Sequence, residues 1–519
     1  MFEFVWIRRH ATFRRTLMPA LLALVGVFTA CAPVGPNFET PRAPVNPLWS
    51  EMGGDEFVDE PQPTVKWWQV FNDPVLNQLI EKAHQNNNNL RIAGLRVLEA
   101  RAALGIATGS QYPQTQFAFG DVTAFRADDV NSVQYNIGLT SSWEIDFWGK
   151  FRRGVESADA AMLASIASFD DVLILLTAQV ADTYTTIRTT EEQLEIANEN
   201  IEIQRRSYNI VDVLFRNGES AELDALQART LLLSTEAAIP QLEALLRQAE
   251  NALSTLLGEP PGRIGALLGD QGELPAVPVR VAVGIPADTL RQRPDVRQAE
   301  MQSMAQNAQV GVARAGLYPS FSITGSLGLS TAGAPGESDL GQLFNSESFT
   351  YGIGPSFTWP FFNYGRLENN VRVQDARLQQ SLFQYREIVI QAAREVEDAM
   401  AGFHGTQAQA EVLLEAVQSA RRSAKLAILR YTEGFSDYQR VLDAQQALFT
   451  QQERYVINKG NEVRSLVSLY KALGGGWQTL DVEFVDEETR ATMEERTNWG
   501  DMIEPSRSAT MNQAAPDEI

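Results

Sequence analysis

Cys31 is the only cysteine in 519 residues, and its position makes the thiol a candidate for acylation rather than for redox work. Arg8, Arg9, Arg14 and Arg15 precede an apolar run from Leu17 to Phe28, interrupted only by Pro19 and Gly26, and Thr29-Ala30 lead into the cysteine. Charge, apolar stretch and small residues in that order describe a bacterial secretion signal cleaved before a lipid-modified cysteine. The order predicts removal of residues 1–30 and covalent lipid, a diacylglycerol and an acyl chain, on Cys31. Ala32 rather than Asp follows it, which resembles the sorting pattern for the outer membrane. A transmembrane helix over 16–36 is the competing reading, since no charge falls there; Pro19, Gly26, Pro33, Gly35 and Pro36 break it, and a span needs about 20 helix-competent apolar residues.

Other chemistry finds few candidates. One cysteine makes no internal disulfide, and His10, His84 and His404 are scattered, so neither a metal site nor a cofactor is expected. The acidic residues spread along helix faces rather than converging with a base or nucleophile, so no catalytic residues are assigned and an enzyme is not expected. With 43 basic and 65 acidic side chains the formal charge is −22, and loss of the leader takes it to −25. No basic stripe interleaved with aromatics stands out, which excludes nucleic acid as a partner.

The elements that carry these residues are duplicated. A shift of 216 places Tyr135 on Tyr351, Trp143 on Trp359, Gly149 on Gly365, Asp182 on Asp398, Gly218 on Gly434, Ser220 on Ser436 and Leu257-Gly258 on Leu473-Gly474. Upstream the shift is 206, with Gly105 on Gly311 and Tyr112-Pro113 on Tyr318-Pro319, so the length difference is assigned to the loop near Gly333–Asp339. Hydrophobic residues make up 44 % of the chain, enough for a large core but not for a bundle of membrane helices.

Each repeat opens with period-2 segments. In 133–147 the odd positions run Val133, Tyr135, Ile137, Leu139, Ser141, Trp143, Ile145, Phe147 against polar and small even ones. Residues 349–361 and 321–330 alternate likewise, and 115–122 more weakly, giving two hairpins of two strands. A half-buried sheet of a soluble domain would need no more. Strand lengths near the ~9–11 residues of a membrane crossing, and aromatics at both ends of the apolar face, favour a membrane β-barrel. Four strands cannot close one, so several chains must share it. The rest is helical: from Val155 to Phe215 and from Leu367 to Thr432 there is no proline and only Gly402 and Gly405. Sixty-odd helical residues span roughly 90–100 Å. A glycine turn ends each (Asn217-Gly218-Glu219, Glu433-Gly434-Phe435) before a shorter return helix, making two αα-hairpins.

Ordered segments carry a resemblance. Trp67-Trp68, Phe71, Asp73-Pro74, Leu76, Leu79, then Ala100-Arg101-Ala102, the run Trp143 to Lys150, Arg293-Pro294-Asp295 through Glu300, and Ala315 to Pro319 resemble the TolC/OprM outer-membrane efflux family. Cys31 with Val34-Gly35-Pro36 and Pro41 resembles its lipoprotein, NodT-type branch. The similarity covers about 33–477; Asn86–Asn89 and the acidic tail after Trp477 depart from it. It implies a mixed α and β membrane protein, a trimeric TolC-like fold with a shared twelve-stranded β-barrel, four strands per chain, and a long periplasmic α-helical barrel. The organisation expected is a signal peptide 1–30; an N-terminal equatorial segment 31–74; repeat 1 over 75–258 (β-hairpin about 112–147, helical hairpin about 150–257); a connector 259–290 in the equatorial region; repeat 2 over 291–474 (β-hairpin about 318–361, helical hairpin about 366–473); and an acidic tail 475–519, whose composition predicts disorder for much of it.

The function so implied is passive export of small toxic compounds, delivered by an inner-membrane resistance-nodulation-division transporter and a periplasmic adaptor (membrane fusion protein), from a homotrimer lipid-anchored in the bacterial outer membrane. The alternative is the outer-membrane conduit of a type I protein secretion system; a rod-like periplasmic adaptor would explain the coils but not the girdled strands. By the resemblance the periplasmic gate consists of Asp443, which matches a constricting ring of aspartates, and of Asp224 and Tyr431, which match a pair tying neighbouring coils. Gly218, Ser220, Gly434 and Ser436 mark the hairpin tips that meet the adaptor, with Ser436 standing where some members have an arginine. Taken alone, Asp443 reads as a solvated helix charge; threefold symmetry and the resemblance make it part of a gate.

Overall fold

A computed structural model describes residues 33–53, 57–58, 66–127, 130–262, 264–269, 272–278, 280–284, 286–331, 340–475, 477 and 482–503. The leader, Cys31 and the length difference at 333–339 lie outside the described residues. One compact unit is formed by the chain up to Pro41 with 99–164 and 299–385, a second by 42–98, 165–298 and 386 onward.

The first unit holds a four-stranded antiparallel sheet: β1 (Thr115–Ala127), β2 (Val130–Ile145), β3 (Ser320–Ser330) and β4 (Phe349–Thr358), in that order across the sheet. Register fixes the faces. Ile137 pairs with Leu329, Leu139 with Leu327, Trp143 with Ile323, and Leu327 with Tyr351, so the odd residues of β2, β3 and β4 share one face. That face is bare in the single chain: Leu139 is 57 % and Ile353 80 % exposed. Exposure of so much contiguous apolar surface in water would be strongly unfavourable, whereas in lipid it is neutral. β4 stops at Thr358 rather than reaching 361, because Pro360 has no N–H to continue the ladder. β1 runs on to Ala127, past the 122 expected.

The helices begin in the second unit with α1 (Pro74–Asn86), whose N-cap Asp73 accepts from Val75 and Leu76 N–H at 2.8 and 3.0 Å with its Oδ1. Its other oxygen accepts from the Tyr184 hydroxyl at 2.7 Å, and Arg188 in turn donates to that hydroxyl at 3.0 Å. The Asp-Pro pair thus starts a helix and anchors it to the long helix that follows in sequence. Asn87 ends α1 and accepts from Leu90 N–H within the first turn of α2 (Asn88–Gly109). α3 (Lys150–Arg216) and α7 (Arg366–Thr432) are 67 residues each, about 100 Å long. α3 contains a window apolar enough to cross a bilayer, but 61 % of it is buried within the protein, as in a core helix. Return from α3 is by α4 (Glu222–Glu236) and α5 (Ile239–Leu256), two helices where one was expected, because Pro240 in the first turn of α5 cannot extend a preceding helix. α6 (Pro294–Ala315) leads into β3, and the return from α7, α8 (Gln439–Ala472), is unbroken. The amino-terminal segment and the connector meet in a short parallel pair, Phe57 with Val281 and Val58 with Ala282.

Residues 482–503 of the acidic tail depart from the disorder expected of it. Asp486 caps α9 (Glu487–Arg496) by accepting from Thr489 N–H at 2.9 Å, and Phe484, Val485, Met493 and Ile503 are buried. Phe484 meets Phe169 edge to face, and its carbonyl lies where a Cβ on Gly94 would stand, so α2 needs glycine there for the tail to seat. Composition averaged over the tail hid these few anchors among eleven acids. Phe484→Ala should therefore cost about 3 kcal/mol or more. Truncation after Arg490 should cost a comparable amount, read as a lowered thermal midpoint of tryptophan fluorescence; an unchanged midpoint in both would mean the tail only rests on the surface.

Candidate gate at the helix-hairpin tips

The two long helices end alike. Gly218 (φ 79°) donates to Phe215 O at 2.9 Å and Glu219 N–H to Leu214 O at 2.8 Å; Gly434 (φ 75°) donates to Tyr431 O at 3.0 Å and Phe435 N–H to Arg430 O at 2.8 Å. This paired closure of orphan carbonyls requires a left-handed residue, which glycine adopts without a Cβ clash. The duplicated Asn/Glu-Gly-x-Ser stretch is in this way a duplicated helix stop.

Just beyond the first turn, the Ser220 hydroxyl donates to Asp224 Oδ2 at 2.9 Å, holding a half-buried carboxylate in the first turn of α4, where the helix dipole favours negative charge. Beyond the second, Ser436 donates to the Asp437 carbonyl at 3.3 Å. Asp443 is exposed one turn into α8 and accepts from Gln439 Nε2 at 2.9 Å. Tyr431 is half-buried and packs edge-on against Tyr438, ring centroids 5.1 Å apart. Tyr438 itself is buried with Val211, Ala225, Ala228, Val441 and Leu442 in the cluster that binds the two hairpins at their tips. Burial above all, then the nearby Tyr431 and Asp224, raises the Tyr438 hydroxyl above the ordinary tyrosine value, so it stays protonated. The structure thus gathers Asp224, Tyr431, Ser220 and Tyr438 around one hairpin junction and leaves Asp443 on an exposed helix face. Sequence reading missed Tyr438, whose equivalent in the first repeat is Glu222; an aromatic next to a helix start in one copy only was the available signal.

Away from the tips the coil carries polar layers. Asn200 donates to Gln452 at 2.9 Å and Gln445 to Ser207 at 2.6 Å, seven residues apart on each helix. His84 is half-buried, bonded to Thr177 at 2.8 Å, and its pKa falls to about 4 through burial and, less, Lys66; it is a packed neutral side chain.

Strands with one face suited to lipid and long coiled helices in the same chain define a class: an outer-membrane channel with a helical conduit. The chain matches the profile of the outer membrane efflux protein family over residues 79–259 and 285–475, and it belongs to that family. It is 33 % identical over 467 residues to the cation efflux system protein CusC of Escherichia coli O6:H1, covering 89 % of this chain and 99 % of that protein. It is 33 % identical over 485 residues to the solvent efflux pump outer membrane protein SrpC of Pseudomonas putida (90 % and 98 %). It is 32 % identical over 464 residues to the probable outer membrane lipoprotein SilC of Salmonella typhimurium (88 % and 98 %). The outer-membrane channel OprN superposes with a TM-score of 0.79 at 32 % identity, over 86 % of this chain and 99 % of that one. The TolC-like fold, the outer-membrane location and the efflux function implied by the resemblance are borne out.

Proposed function

We propose that this protein is the outer-membrane exit duct of a tripartite pump: a homotrimer that receives small toxic compounds from an inner-membrane resistance-nodulation-division transporter through a periplasmic adaptor and conducts them outward without chemistry. The observation that carries the reading is the open sheet. β1 and β4 are both edges, and an edge in hydrocarbon leaves a row of unpaired N–H and C=O groups, each costing several kcal/mol. Pairing β1 of one copy with β4 of the next removes all edges once three copies close twelve strands. Segments 31–74 and 259–290, which meet in the Phe57–Val281 pair, form an equatorial belt together with the region after Gly474. The hairpin tips, with Gly218, Ser220, Gly434 and Ser436 at the turns, face the adaptor, and Asp443, Asp224 and Tyr431 gate the entrance. CusC is named for cations and SrpC for solvents at equal identity to this chain, so cargo is chosen upstream. The name of SilC supports covalent lipid on Cys31.

The test uses the intact chain and Cys31→Ala. Both should be extracted from outer membranes as a trimer that resists detergent until heated, the variant in lower yield, because a closed barrel anchors itself and the lipid only adds to it. Recovery of the variant as a soluble periplasmic monomer would overturn the barrel.

A further inference from the structure

The register of β1 places its aromatics on the face opposite to lipid. Phe117 stands across from Thr140, Phe119 from Gly138, Asp121 from Asn136 and Phe125 from Ser132, so these four side chains share the polar face of the sheet. The shared face is visible in the bonds themselves. Asn136 Nδ2 donates to Asp121 Oδ2 at 2.9 Å, and Ser330 Oγ donates to Asn136 Oδ1 at 2.7 Å, forming a polar ladder across three strands. The ring of Phe119 lies over Gly138, with Cζ 3.0 Å from where a Cβ would stand. Alternation alone would send these phenylalanines to lipid; the pairing sends Ala118, Gly120, Val122 and Ala124 there instead.

In the trimeric channel, on which this inference rests, that face lines the pore. A water-filled pore wall has no need of large apolar rings, yet Phe117 is 63 %, Phe119 41 % and Phe125 45 % exposed. Successive same-face residues of a strand are about 7 Å apart, so two ring faces and a carboxylate follow one another along the path of cargo. Ring faces carry negative quadrupole charge and attract cations, more so beside a carboxylate. We propose that Phe117, Phe119 and Asp121 form a transit site for lipophilic organic cations inside the barrel: the aryl or alkyl surface rests on the rings and the charge faces Asp121.

Tetraphenylphosphonium is the probe, applied to the full-length protein in planar bilayers with K⁺ as current carrier. The wild type should show transient blocks, and Phe117→Leu with Phe119→Leu, which keeps apolar bulk but removes the rings, should shorten them about tenfold. Asp121→Asn should shorten them as well. Phe117→Leu alone, at the most exposed ring, should shorten blocks severalfold even where the double variant inserts poorly. Block times equal to wild type in Phe117→Leu and Asp121→Asn would overturn the site while leaving the channel standing. An Asp224→Ala, Tyr431→Phe channel that inserts yet passes no K⁺ would overturn the channel reading itself.

Discussion

In planar bilayers the Asp224→Ala, Tyr431→Phe double variant should pass more current per channel than wild type, and cells carrying it should become leaky to large antibiotics. Within one chain Asp224 is held through Oδ2 by Ser220, and Tyr431 is held by its ring against Tyr438. Both side chains are therefore oriented without being consumed: the carboxylate keeps an oxygen and the tyrosine its hydroxyl, as the proposed tie to a neighbouring coil requires. A hydrogen bond to a charged group contributes about 1.5–3 kcal/mol, so three such ties in the proposed trimer would hold the entrance closed yet remain within what a docking adaptor could offset. Asp443 acts differently. Its side chain is exposed and, among the described residues, bonded along its own helix to Gln439, so Asp443→Ala should leave conductance of the open state nearly intact. Three carboxylates converging on the axis would attract cations, and removing them should lower cation over anion selectivity. Recordings indistinguishable from wild type for all three substitutions would dispose of the gate while sparing the duct.

The duplication explains why so much was legible. A shift that superposes Gly218 on Gly434 also superposes two Schellman closures with the same bonds, since local backbone sterics decide them and no distant contact is needed. Strands β2, β3 and β4 announced their faces by strict alternation. β1 did not, because Phe117, Phe119 and Phe125 alternate in the wrong phase for lipid, and only the pairing of Asp121 with Asn136 tells which way they turn. Long-range packing was the other blind spot. The seating of Phe484 between Gly94 and Phe169 joins residues some hundreds of positions apart, and an average over an acidic tail carries no trace of it. The roles proposed for Asp224, Tyr431 and Asp443 come from likeness, not from pattern: nothing in the spacing of single carboxylates on a helix distinguishes a gate from a solvated face.

Arg293→Ala should be among the most destabilising single substitutions outside the apolar core, by about 1–3 kcal/mol, because it leaves the buried Ala472 carbonyl without its donor and unties a half-buried Asp295. Arg293 is itself buried, and its guanidinium donates to both oxygens of Asp295 at 3.0 and 2.7 Å, to Glu395 at 2.8 Å, and to the Ala472 carbonyl at the end of α8 at 2.6 Å. Burial works against its charge, but Asp295 and Glu395 outweigh that and hold it above its ordinary value. One side chain thus ties the start of α6 to α7 and α8, which is the physical content of the Arg-Pro-Asp motif. Lysine should recover less than half the loss, since an ammonium cannot reproduce the planar fork. The pH dependence gives the diagnostic. Burial, then Asp295, already raises Asp171, while Arg293 opposes the rise. With the arginine gone, one opposition to that rise is lost, and the folded-state value of Asp171 moves further above that of the unfolded chain. The folded variant then binds more protons than the unfolded one, so its stability grows as pH falls through the carboxylate range and is lost as pH rises out of it. The deficit relative to wild type, followed by thermal denaturation in detergent, should be largest at pH 7 and shrink toward pH 4. A deficit independent of pH would mean that Arg293 acts through its packing and its bond to Ala472, and that the cluster of carboxylates around it is solvated.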